Sequence, residues 1–249
     1  MEPTASTFNK ESVQFQILQN TKYKNRKMLD KASGKGVTDI VKTLLELDVK
    51  PIADGGYSLC PLFSACMNNQ YECINLLLDY KAKFGSENSD SEFKIAYVIM
   101  KCDVKILKIL RKRGWNLTDA LYTNYSMRKK SAIYYSIMDK NSEQALSKVK
   151  YLINQKADVN ASQAGGQTLL HGAARVGNHG VVKALLEAGA EVNPIAFPDY
   201  VDQVWFKTRF TPLDYANKYH HEGVSQLLID NGGLKYREIR PKKNDCIMM

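Results

Sequence analysis

The sequence predicts an all-α solenoid of about six helix-turn-helix repeats. Three observations carry that expectation. A pair of adjacent apolar residues recurs at Leu44-Leu45, Leu77-Leu78, Ile109-Leu110, Leu152-Ile153, Leu185-Leu186 and Leu227-Leu228. Leu44 to Leu77, Leu77 to Leu110 and Leu152 to Leu185 are each 33 residues, and Leu110 to Leu152 and Leu185 to Leu227 are each 42. Short motifs also keep one phase within the period: ADVN from Ala157 and AEVN from Ala190 lie 33 residues apart, and CPLFSAC from Cys60, TLLHGAA from Thr168 and TPLDYAN from Thr211 open their repeats. A fixed period of this length marks supersecondary units that bury their apolar stripes only by stacking.

The first repeat, around Lys27 to Lys50, and the last, Thr211 to Gly233, are degenerate. Terminal units are expected to be, because one face of each meets water. The third, Phe93 to Leu117, keeps only the apolar pattern. Within a repeat, Thr168 and Thr211 suit the N-cap of the first helix, and Pro212 suits N1, where no N–H is needed. Ala173 and Ala174 are small enough for close stacking. Gly177 suits the turn between helices and Gly189 a left-handed stop to the second helix. The longer steps place insertions at about 117–131 and 194–209. Residues 1–21 form an N-terminal extension, 22–234 the repeat domain and 235–249 a basic tail.

The fifth repeat reads GQTLLHGAARVGNHGVVKALLEAGAEVN from Gly166 to Asn193. This resembles the ankyrin consensus over its whole length, and the resemblance extends over roughly residues 22 to 234. It implies a protein-binding fold with a concave face formed by loop fingers and the outward residues of each first helix.

The chain has 249 residues and a formal charge of +9. No apolar run reaches the roughly 18 residues of a membrane span. Met1 to Asn20 lack the basic and apolar regions of a secretory signal. Cys60, Cys66, Cys73 and Cys102 fall in apolar patterns, and five cysteines without a C-x-x-C pair fit neither a disulfide framework nor a zinc site. The four histidines, His171, His179, His220 and His221, stand where the repeat carries structural polar residues. No nucleophile-base arrangement, metalloprotease helix or phosphate loop is evident. Gly34 and Gly36 fall in the turn between helices rather than in a phosphate loop. A non-enzyme without cofactor or metal is expected.

The repeat phase places the concave face at Lys31, Gly34 and Lys35; Ser64, Met67 and Asn68; Tyr97, Met100 and Lys101; Tyr135, Met138 and Asp139; Gly172, Arg175 and Val176; and Tyr215, Lys218 and Tyr219. Tyr, Met and Arg are enriched on binding surfaces, and this set holds five basic residues against one acid. The first insertion carries Tyr122, Tyr125 and Arg128-Lys129-Lys130. The second carries Phe197, Tyr200, Trp205 and Phe206, which either pack down or meet a partner. Lys101, Lys105, Lys108, Arg111, Lys112 and Arg113 form a basic stretch suited to a solvated helix face or to an acidic partner. No nucleic-acid module is present.

The last four residues, Cys246-Ile247-Met248-Met249, fit a C-a-a-X box in which terminal Met favours farnesyl. Lys235, Arg237, Arg240, Lys242 and Lys243 precede it and suit an anionic membrane. The expected function is therefore a protein-interaction module held at a membrane by prenylation. Repeats joined to such a tail resemble either a eukaryotic membrane-anchored adaptor or an effector that an intracellular bacterium injects into a host cell, and the divergent repeats favour the effector; secretion would then bypass a classical signal, and the site of action would be the eukaryotic cytosol and membrane surface. The alternative is a substrate receptor for a modifying enzyme such as a ubiquitin ligase. The expected partner is a protein with an acidic surface. Nucleic acid is not expected, and the chain is expected to act as a monomer.

Overall fold

The computed structural model describes residues 22–51, 59–85, 89–118, 121–123, 129–197 and 209–239. The N-terminal extension, Trp205, Phe206 and Cys246 lie outside them, as do Tyr125, Arg128 and Tyr200. Six helix pairs follow one another. They are α1 (Lys22–Lys35) with α2 (Thr38–Glu46), α3 (Pro61–Met67) with α4 (Tyr71–Asp79), α5 (Ser89–Lys101) with α6 (Val104–Lys112), α7 (Ala132–Ile137) with α8 (Ser142–Asn154), α9 (Leu169–Val176) with α10 (His179–Glu187), and α11 (Pro212–Lys218) with α12 (Glu222–Asp230). A short helix, α13 (Tyr236–Ile239), follows. The first insertion is not a bare loop: β1 (Leu121–Thr123) and β2 (Lys129–Ser131) pair as a two-stranded sheet. Strands of three residues are too short to show an alternating pattern in the sequence.

The chain forms two compact units. The first runs to Asn116 and includes residues 122–129; the second comprises residues 117–121 and everything from Lys130. In the first, α1 packs on α3 and α3 on α5, while α2 packs on α4. Its core holds Leu29, Val41, Leu44, Leu62, Cys66, Leu77, Phe84, Ile99 and Leu110, none more than 0 % exposed. In the second, α7, α9 and α11 pack in sequence, as do α8, α10 and α12. There Ala145, Leu152, Leu169, Ala173, Ala174, Leu185, Ala216 and Leu228 are equally enclosed. Ala at 173 and 174 lets successive first helices approach closely. All four described cysteines are buried.

The turn after each second helix fixes the period. Asp48, Lys81, Gly114, Lys156, Gly189 and Gly232 all hold positive φ there, at steps of 33, 33, 42, 33 and 43 residues. The final step is 43 rather than the 42 read from Leu227, because Leu228 is the enclosed leucine of α12 and Leu227 only half-buried. Gly36, Asn69, Gly177 and His220 take the same left-handed conformation between the two helices of their pairs. At Gly177 a Cβ would lie 2.5 Å from the His221 ring, so glycine is required both for its φ of 79° and for that close approach.

The third and fourth pairs turn differently. Asp103 caps α6 by accepting from the N–H groups of Lys105 and Ile106, and its other oxygen accepts the Tyr71 hydroxyl hydrogen bond. Asn141 caps α8 through Glu143 and Gln144. Asp139 in turn accepts the Asn141 N–H at 2.9 Å and the Lys148 ammonium at 2.8 Å.

Candidate partner-binding surface

The first helix of each pair projects side chains whose positions follow from its cap. Thr211 and Asp214 form a reciprocal box: the Asp214 N–H donates to the Thr211 hydroxyl at 3.3 Å, and the Thr211 N–H donates to the Asp214 carboxylate at 3.0 Å. Pro61 and Pro212 occupy the first helical positions of α3 and α11. His171 stands where Asp214 does one repeat later. The Thr168 N–H donates to His171 Nδ1 at 3.1 Å, and Nε2, 3.1 Å from the Phe210 carbonyl, donates to it. Acceptance at Nδ1 needs the neutral ring. Burial is the main cause that lowers its pKa to about 4, against the opposing hydrogen bonds to the Phe210 and Pro194 carbonyls and the Asp214 charge. The histidine is thus a fixed part of the frame.

In the first unit, Tyr97 is half-buried between two phenylalanines, its centroid 6.1 Å from both Phe63 and Phe93, with the Lys101 ammonium 6.0 Å from its ring. Met67 and Met100 are half-buried, and Lys35 is exposed at the end of α1. This gives an adaptable apolar surface rimmed by cations. Phe63 and Phe93, absent from the sequence expectation, supply much of it.

In the second unit, the Arg175 guanidinium donates to the Tyr134 hydroxyl at 3.1 Å and lies 3.8 Å from the Met138 sulfur. Lys130 stands 4.0 Å over the Tyr134 ring. The His221 Nε2 donates to the Arg175 carbonyl at 3.1 Å. Tyr219, 43 % exposed, stacks beside Tyr215 and His221, and Lys218 lies 5.4 Å from the Phe210 ring.

Four expected face residues, Tyr135, Asp139, Gly172 and Tyr215, are not on the surface. Tyr135 is 5 % and Tyr215 3 % exposed. Tyr215 reaches back to the preceding repeat, where its hydroxyl accepts from the Gln167 side chain at 2.9 Å, and its ring packs on His171 and Phe210. Asp139 is enclosed in its pair with Lys148. In the second unit the position after the capping residue faces the neighbouring repeat, as Gly172 against Tyr134 also shows. Of the second insertion, Ala196 bridges Phe210 and Phe197 is 46 % exposed beneath Arg209. The basic stretch divides: Lys105, Lys108 and Lys112 are exposed along α6, whereas Lys101 belongs to the Tyr97 cluster. Among the described residues, no group of three or more His, Cys, Asp or Glu is placed to hold a metal ion, and no helix is long and apolar enough to cross a membrane.

Residues 4–88 and 95–196 match the family model for ankyrin repeats in three copies. The chain belongs to the ankyrin-repeat family. Ankyrin repeats bind other proteins, and the fold is typically non-catalytic. The match stops short of the sixth pair, whose Thr211 cap and left-handed Gly232 nevertheless repeat Thr168 and Gly189. No curated protein matches the chain. Among solved structures, the human ASB11 ankyrin repeat domain is 24 % identical with a TM-score of 0.59, over 83 % of each chain. A chain from the complex of the Bdellovibrio bacteriovorus predatory endopeptidase Bd0816 with immunity protein Bd3460 is 20 % identical with a TM-score of 0.61, over 82 % of this chain and 97 % of that one. Likeness at this identity shows the fold alone.

Proposed function

We propose that this ankyrin-repeat chain is a non-catalytic binding module that holds a protein partner on the first-helix surfaces of its two units. The observation that carries the reading is the pairing of aromatic rings, methionines and cations on both: Tyr97, Lys101, Met67 and Met100 in one, Arg175, Met138, Lys218 and Tyr219 in the other. Aromatic and Arg anchors on a preformed surface carry most of the energy in protein interfaces. The cations fit a partner with an acidic surface. Provided that the translated chain ends at Met249, farnesylation of Cys246 would add a membrane anchor supported by the basic tail. Divergent repeats with such a tail suit an effector acting inside a eukaryotic host cell.

The test is affinity purification from eukaryotic lysate with the wild type and with a variant carrying Lys101→Glu, Arg175→Glu and Tyr219→Ala. Each change is expected to cost about 1–2 kcal/mol of binding and to leave the helical circular dichroism unchanged, since none removes a core side chain. A partner retained equally by both proteins overturns the surface. Recovery of ubiquitin-ligase subunits in stoichiometric amount would replace this reading with that of a substrate receptor.

A further inference from the structure

The turns that follow the second helices share one pattern, and the first unit breaks it in one place. After the left-handed residue the repeats carry Val49, Ala82, Trp115, Ala157, Ala190 and Gly233. A tryptophan thus stands where the others are small or, at Val49, modest. One residue further on, Asp158 and Glu191 are acidic in the fourth and fifth repeats, whereas the first and second have Lys50 and Lys83. At the residue before the left-handed one, Leu47, Tyr80, Gln155, Ala188 and Asn231 are uncharged, whereas the third repeat has Arg113. Lys83, Arg113 and Trp115 meet in space. Leu78, Lys81, Ala82, Lys83, Arg113, Gly114, Trp115 and Asn116 line an open cleft of about 540 Å³.

The cleft is built rather than incidental. Trp115 is half-exposed, with its ring set edge-on to the fully buried Phe84 at 5.2 Å and 74°. Arg113 is fixed by Asp79 at 2.5 Å. Lys81 and Lys83 are exposed and make no ion pair among the described residues. A Cβ on Gly114 would meet nothing within 4 Å, so that wall is open to a ligand.

The backbone decides which anion fits. The cleft lies at the C-terminal ends of α4 and α6, where the helix dipoles present negative charge. The N–H groups of Lys81, Ala82, Gly114 and Trp115 are already donated to the carbonyls of Leu78, Leu77, Arg111 and Leu110. A compact phosphate finds no free donor among these four N–H groups and would rest on the side-chain cations alone. Carboxylates spaced along a chain can instead reach the long lysine side chains, with an aromatic or apolar residue between them against Trp115.

We infer that this cleft is a second docking site, which takes an acidic peptide segment carrying an aromatic residue among its carboxylates. It rests on the reading that the partner is a protein, and adds a contact away from the first-helix surfaces. The test uses the full chain and a fluorescein-labelled peptide with one phenylalanine flanked on each side by three acidic residues, followed by anisotropy at low ionic strength. Saturable binding is expected, weakened roughly tenfold by Lys83→Glu and less by Trp115→Phe. The same peptide with its acids replaced by their amides should not bind. Lys83 is exposed, so its reversal leaves the core intact, and circular dichroism checks that.

Binding indifferent to Lys83→Glu, or absent altogether, overturns the inference. So does a heparin oligosaccharide that binds more tightly than the peptide with the same Lys83 dependence, because the patch would then be a general polyanion surface. A cellular partner lost with the Lys101, Arg175 and Tyr219 variant but kept with Lys83→Glu, when the peptide also fails, rejects the cleft and leaves the proposed function standing. The opposite pattern rejects the first-helix surfaces and keeps the cleft.

Discussion

At the scale of single residues, His171 makes the sharpest statement about stability. Its Nδ1 accepts from a backbone N–H, and the ring is 1 % exposed, so protonation costs both the bond and the burial of a charge. Its pKa falls from 6.5 in an unfolded chain to about 4. The stabilisation is therefore complete above pH 6.5, lost as pH falls from there toward 4, and constant below. The whole swing is on the order of 3 kcal/mol. Urea unfolding of the wild type should show it, His171→Gln should flatten that window, and an imidazole that titrates by NMR near 6.5 would contradict the argument. The role of His171 was legible because Thr-x-x-His sits at a helix start. The burial of Tyr135 and Tyr215 was not. Tyrosine is at home on an interface or in a core, and only packing against the preceding repeat, as in the Gln167 bond, decides between them.

At the scale of elements, the period was readable because it is written twice, in the buried leucines and in the short motifs that keep its phase, such as ADVN from Ala157 and AEVN from Ala190. It slipped by one residue at α12, where three apolar residues in a row, Leu227, Leu228 and Ile229, leave the inward one undecided. What the sequence hid was the turn between α7 and α8. The first, second, fifth and sixth pairs, with a left-handed Gly36, Asn69, Gly177 or His220 at the equivalent position, solve the geometry with the backbone. Here a chain of side chains does it: Lys148 holds Asp139, Asp139 holds Asn141, and Asn141 caps α8. The ammonium is fully enclosed and the carboxylate nearly so. Lys148→Met should strand that carboxylate and cost about 3–5 kcal/mol. Lys148→Met with Asp139→Asn should recover most of the loss, because the amide oxygen keeps the Asn141 bond without the charge. A double-mutant cycle by denaturant unfolding measures the coupling, and strictly additive losses would show the pair to be idle.

At the scale of the whole molecule, the proposed function joins a binding fold to a place in the cell. The chain carries a formal charge of +9, and the basic tail begins on described structure: the Tyr236 N–H donates to Asp214, the Thr211 hydroxyl donates to the Leu234 carbonyl, and Arg237 is exposed on α13. The tail therefore leaves the repeats from a fixed point. Each basic residue close to an anionic leaflet adds about 1 kcal/mol, and a single lipid chain alone holds a protein only marginally, so the two signals are needed together. Expressed in eukaryotic cells with Met249 as the last residue, the wild type should sediment with membranes. Cys246→Ser should move to the soluble fraction, with any residual binding released by salt because the Debye length shortens. Reversing Lys242 and Lys243 to Glu should weaken membrane binding while the lipid remains, which intact mass reports directly. Helical content should match in all three proteins, since Cys246, Lys242 and Lys243 lie past α13. An unmodified Cys246 by mass, or wild type and Cys246→Ser dividing equally between the fractions, would remove the membrane from the proposed function and leave its protein-binding surfaces untouched.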